Sequence, residues 1–187
     1  MKTEHILFGL RIVAWAVFLG AIVRTALMIG YIIAIFVFPD NPIKNNAQPS
    51  DLAAFQQTHE VEFWMLMSLI IAIALLHIQL WEKIKDALET IKISNPFTVQ
   101  MATLFEKTAY LLISIWVVSF IGSIYFRQVS KRTEGLEQII DRISVGMVDG
   151  GGFDAGGVYL LNAGIVYIIS QIFRRGIEMQ QENDLTI

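Results

Sequence analysis

Four stretches of this chain carry apolar residues almost without interruption, at about 12–38, 61–81, 107–126 and 157–173. An α-helix rises about 1.5 Å per residue, so roughly 20 such residues cross a hydrocarbon core of about 30 Å. Only a segment that satisfies its own backbone groups survives there. The pattern predicts an all-α polytopic membrane protein, a single domain over 1–187 with four transmembrane helices and a C-terminal tail from 174 onward. Polar punctuation supports each boundary: Pro39, Asp40 and Pro42 stop the first stretch, and Glu82, Lys83, Lys85 and Asp86 end the second. Arg127 with Lys131-Arg132 closes the third, and Arg174-Arg175 closes the fourth. The first stretch is about twice the 7–15 apolar residues of a signal-peptide core and no small-residue cleavage site follows it promptly, so it reads as a retained span.

Lys and Arg in the flanks set the orientation. Lys2, Arg11, Lys83, Lys85, Lys92, Lys107, Arg174 and Arg175 fall on one side, against Lys44, Arg127, Lys131, Arg132 and Arg142 on the other. The excess predicts both termini in the cytoplasm of a bacterial cell, with the chain in its inner membrane.

Between the second and third spans, Trp81, Ile84, Leu88 and Ile91 recur at helical spacing among charges. That is an amphipathic helix, lying in the interface or continuing span two. Asn95 as cap with Pro96 at the first helical position predicts the start of the helix that becomes span three. On the other side, Leu136, Ile139, Ile140 and Ile143 predict a short amphipathic helix over 134–145. The GGGFDAGG run after it lacks the lysine and hydroxyl residue of a phosphate-binding loop and reads as a flexible turn.

Composition narrows the chemistry. Of 187 residues, 55% are hydrophobic and 17% charged, well below the roughly one quarter charged in soluble domains. A formal charge of −3 gives no basic surplus for phosphate backbones, so direct nucleic-acid binding is not expected. Without cysteine there is no disulfide, thiolate nucleophile or thiol relay. His5, His59 and His77 offer no convergent pair for haem, and no HExxH or carboxylate cluster suggests a metal. No cofactor and no catalytic site is expected; His77 reads as an interfacial side chain.

Arg24 is the sharpest local anomaly, since an ionised residue near the centre of a span costs about 2.5–3.5 kcal/mol on insertion scales. The overlong first span can slide until Arg24 snorkels to headgroups. Otherwise it forms a buried pair, with Glu60, Glu62, Ser68, Ser114, Ser119, Asn162 and Tyr167 as candidates, or serves as counter-ion to a ligand in a small transporter or binding protein. Ala16 with Gly20, and Ser119 with Ser123, would let helices approach closely, within the bundle or between copies.

The tail, RRGIEMQQENDLTI, carries Glu178, Glu182 and Asp184 and ends on Leu185-Thr186-Ile187, a segment of good strand propensity. A free, acidic, partly extended end suits docking of a basic partner; alternatively it folds back onto Lys83, Lys85, Lys92 or Lys107. Two motifs, Asn95-Pro96-Phe97-Thr98 and Glu182-Asn183-Asp184-Leu185-Thr186-Ile187, together with the stretch from Tyr167 onward, resemble small bacterial four-helix membrane proteins known only as a domain of unknown function. In that group a Pro-Phe motif opens the third span and the tail ends in ENDLTI. This chain departs from it after the Pro-Phe motif, with Gln100-Met101 and with Glu106 beside Lys107 where relatives carry Glu-Asn and a basic segment. The resemblance implies, through neighbouring genes, a partner that is a small Cro/Xre-type helix-turn-helix regulator. An accessory or signalling protein docking that regulator through Asn95 to Thr98 and the tail is therefore the expected function.

Overall fold

Long apolar runs free of interior proline form helices and little else. The computed structural model describes residues 2–37, 55–91, 96–132 and 157–184. Four long helices run through them: α1 (Lys2–Val37), α2 (Glu60–Thr90), α3 (Val99–Ser130) and α4 (Val158–Asp184). No strand occurs among the described residues. A helical turn over 55–58 leads into α2 through bonds from the His59 amide to the Phe55 carbonyl (2.8 Å) and from the Phe63 amide to the His59 carbonyl (2.9 Å). Glu60 and Glu62 in the first turn of α2, and Arg127 in the last turn of α3, complement the helix dipoles.

Three helices are long and apolar enough to cross a membrane: α1 over His5–Gly30, α2 over Glu60–Thr90 and α3 over Val99–Ser130. The fourth predicted span is not among them. Its apolar part, 158–173, reaches about 24 Å as helix, short of a core of about 30 Å, and Asn162 and Gln171 interrupt it. The amphipathic segment after Trp81 continues α2 without a break to Thr90. The predicted helix over 134–145 and the glycine run before Gly157 lie outside the described residues.

The chain divides into two compact units. The first comprises Met1–Ala21, Leu76–Trp116 and Gly157–Ile187, and so holds the first part of α1, the second half of α2, the first half of α3 and all of α4. Its core is Leu80, Leu112, Ile115 and Ala163, flanked by Ile84, Tyr159 and Val166. Ala163 brings the backbone of α4 close to its neighbours because it has no bulk to hold them off.

The second unit comprises Ile22–Leu75 and Val117–Gly156. Met28 and Ile32 of α1 and Val129 of α3 pack on Phe55 and on a ridge of α2 made by Phe63, Leu66, Met67, Ile70, Ile73 and Ala74. The ridge repeats at three- and four-residue spacing, which turns one face of α2 into the core. Phe55 meets Phe63 edge-on at 6.2 Å, and Phe63 meets Trp64 at 5.3 Å.

Burial is uneven among the spans. In the most apolar stretch of α1 only 6% is buried, against 33% in α2 and 28% in α3. The Ala16–Gly20 face, predicted to allow close helix approach, is exposed, and a Cβ built on Gly20 would meet nothing within 4 Å.

Candidate functional site

At one end of the first unit, all four helices are tied together around the connection from α2 to α3. The last turn of α2 leaves carbonyls without helical partners. Arg11 of α1 supplies them, donating from Nε to the Leu88 carbonyl at 2.7 Å and from Nη2 to the carbonyls of Glu89 at 3.3 Å and Ile91 at 3.5 Å. A cation there also complements the negative end of the helix dipole. One turn further along α1, Trp15 donates its indole N–H to Glu89 Oε1 at 2.7 Å. The Lys85 ammonium lies 4.6 Å from the Trp15 ring centroid and 5.2 Å from that of Phe18, and also pairs with Asp86 at 3.2 Å. Lys83 pairs with Glu82 and Asp86.

The start of α3 corrects the predicted cap. Thr98, not Asn95, is the N-cap: its hydroxyl accepts from the Met101 amide at 3.3 Å, and its carbonyl accepts the first helical bond from the Ala102 amide at 3.1 Å. Pro96 and Phe97 precede the helix, and Asn95 lies outside the described residues. The physical reason is Phe97. Its ring packs against α4, 5.1 Å from the Phe173 ring, and so close to Gly176 that a Cβ there would fall 2.6 Å from its Cδ1 atom. A helix beginning at Pro96 would have to carry that ring elsewhere. Phe105, on α3, meets Phe173 edge-on at 5.1 Å. Arg174, which closes the fourth apolar stretch, forms an ion pair with Glu106 of α3.

Beyond this contact α4 continues as helix to Asp184. The tail is therefore helical through Glu182, Asn183 and Asp184; Leu185, Thr186 and Ile187, where an extended end is expected, lie outside the described residues. Glu178, Met179, Gln180, Gln181 and Glu182 are exposed.

His77 is half-buried, with Nε2 hydrogen-bonded to the Tyr159 hydroxyl at 2.8 Å and the two rings edge-on at 5.8 Å.

In the second unit, Arg24 is partly buried and its Nη2 atom is fully enclosed. Thr25 and Ser119 are also buried. Other hydroxyls in this unit bond back to their own backbone, as Ser68 does to the Met65 carbonyl at 2.8 Å and Ser123 to the Phe120 carbonyl at 2.8 Å. Ser119 Oγ is buried with no hydrogen-bond partner among the described residues.

Sequence reasoning reached Phe97, Thr98, Arg24 and the tail but missed Arg11, Gly176 and the His77–Tyr159 pair. Gly176 left a signal, because a glycine inside a helix costs about 1 kcal/mol relative to alanine and invites the question of what approaches it. Among the described residues no group of three His, Asp or Glu side chains is arranged to hold a metal ion.

No curated protein and no solved structure matches the chain. The family model "Protein of unknown function (DUF2975)" matches residues 41–187, which takes in α2, α3, α4 and the connection between Thr90 and Val99 on which these contacts centre. The chain belongs to the DUF2975 family of proteins of unknown function.

Proposed function

We propose that this chain is a multi-pass protein of the bacterial cytoplasmic membrane that docks a basic soluble partner, a small helix-turn-helix regulator, on the C-terminal extension of α4. The observation that carries the reading is the helical run from Gly176 to Asp184, which bears exposed Glu178 and Glu182 one turn apart on one face and exposed Met179 beside them. An acidic ridge with an adaptable apolar side chain complements the cationic surface that such a regulator presents to DNA. Pro96, Phe97 and Thr98 act in this reading through α4, which Phe97 contacts.

Four crossings with both termini in the cytoplasm complete the proposal. Arg11, the end of α2, the start of α3 and Arg174 meet at one end of the first unit, so successive helices alternate in direction there. The Lys and Arg bias assigns that end to the cytoplasm. The short apolar part of α4 is accommodated by local thinning of the bilayer.

The test is affinity purification from native membranes with the full chain, the chain ending at Gln181, and a Glu178→Lys, Glu182→Lys double variant. Loss of a helix-turn-helix protein in both altered forms is expected. An unchanged set of co-purifying proteins refutes the docking role.

A second reading is favoured by the enclosed Nη2 atom of Arg24: a counter-ion within the membrane for an anionic ligand of a small transporter. Arg24→Leu then abolishes uptake or binding; an equally active and more stable variant removes this reading.

A further inference from the structure

A side chain that belongs to no helix packs against the later turns of α4. Phe97 precedes the N-cap Thr98, yet its ring lies so close over Gly176 that an added Cβ would fall 2.6 Å from Cδ1, 2.9 Å from Cγ and 3.0 Å from Cε1. Only glycine admits a ring at that distance. The same ring stands 5.1 Å from Phe173, which Phe105 meets from α3, and the intervening turn is held by the Arg174–Glu106 ion pair. An apolar contact and an ionic one thus grip α4 over 173–176, where the acidic extension begins.

We propose that Phe97 is a latch on α4. With the ring seated on Gly176, the extension is held at one fixed angle to α3; with the ring withdrawn, the turn over 173–176 is released and the extension swings. Phe97 lies in the connection between α2 and α3, so any rearrangement of those helices acts on the ring directly. A partner that binds the extension better in one of its two positions shifts the latch, and by linkage the latch shifts the partner's affinity by the same factor. That last consequence rests on the docking reading above; the latch rests on the contacts alone.

The chain contains no cysteine, so spin labels can be introduced into the full chain without background. Labels at Gln100→Cys, on the start of α3, and Gln181→Cys, on the extension, are both at exposed positions. Pulsed electron paramagnetic resonance in lipid nanodiscs is expected to give one narrow distance distribution. Phe97→Ala is expected to shift or broaden it by at least the rise of a helical turn, about 5 Å. Gly176→Ala, which leaves the ring intact but denies it its seat, is expected to do the same. An unchanged distribution in either variant overturns the latch. Partner capture with the Phe97→Ala chain reads the coupling separately: unaltered capture alongside a shifted distance removes the coupling while the latch stands.

Discussion

Two glycines on the same helix provide a controlled test of the packing described at the start of α3. Replacing a helical glycine by alanine gains about 1 kcal/mol when the new methyl group has room. Gly164 has that room, with nothing within 4 Å of a Cβ built on it, so Gly164→Ala should stabilise the protein by up to ~1 kcal/mol. At Gly176 the same methyl group would fall 2.6 Å from Phe97 Cδ1. The ring must move, and such overpacking costs about 1–3 kcal/mol. Set against the propensity gain, Gly176→Ala should range from neutral to about 2 kcal/mol destabilising. The two substitutions, identical in chemistry, therefore differ by about 1–3 kcal/mol. Unfolding of purified protein in one detergent, by heat at a fixed scan rate or by titration with a denaturing detergent, reads the difference. In a Phe97→Ala background Gly176→Ala should instead stabilise by up to ~1 kcal/mol, because Cγ, Cδ1 and Cε1, the atoms that crowd the new methyl group, are all gone. Equal stabilisation by the two alanines would refute the seating of Phe97 on Gly176.

Other contacts are open to equally direct checks. Arg11→Met should cost about 1–2 kcal/mol through loss of the donors that satisfy the end of α2, seen as faster amide exchange over 88–91. A double-mutant cycle of His77→Phe and Tyr159→Phe should return a coupling of about 0.6 kcal/mol, the scale of hydrogen bonds between membrane helices; additivity of the two variants would deny the bond. Thr98→Ala should cost about 1 kcal/mol as a lost N-cap, with protection of the Met101 amide falling first. Glu106→Gln, at a partly exposed ion pair, should cost no more than about 1 kcal/mol, and the cost should shrink as salt rises.

Hydropathy alone locates α1, α2 and α3, because a run of apolar residues between polar stops admits no other structure in lipid. It does not locate what one helix does to another. Asn95-Pro96 satisfies every local rule for a helix start, yet α3 begins at Val99, since Thr98 caps equally well and releases Phe97 to reach α4. His77 and Tyr159 lie 82 residues apart, and no periodicity within either helix reports their register. The tail is legible in part: Glu178, Met179, Gln180, Gln181 and Glu182, all good helix formers, carry α4 on to Asp184, and the last three residues, whose strand propensity predicts an extended end, lie outside the described residues. Arg24 is legible as an anomaly, but the enclosure of its Nη2 atom is not.

The capping of α2 by Arg11 also has a place in time. The carbonyls that receive Arg11 belong to residues 77 to 80 positions later in the chain. At a synthesis rate of about 5–20 residues per second, they emerge roughly 4–15 s after Arg11 itself. During that interval the end of α2 is not yet there for α1 to hold, and α1 relies on its own apolarity. Its composition suits this, for the most apolar stretch of α1 is buried less than those of α2 and α3. Arg11 then acts as a late fastener, closing only once α2 has been threaded and its last turn has formed, and a nascent chain halted before Leu88 should leave α1 inserted but unattached.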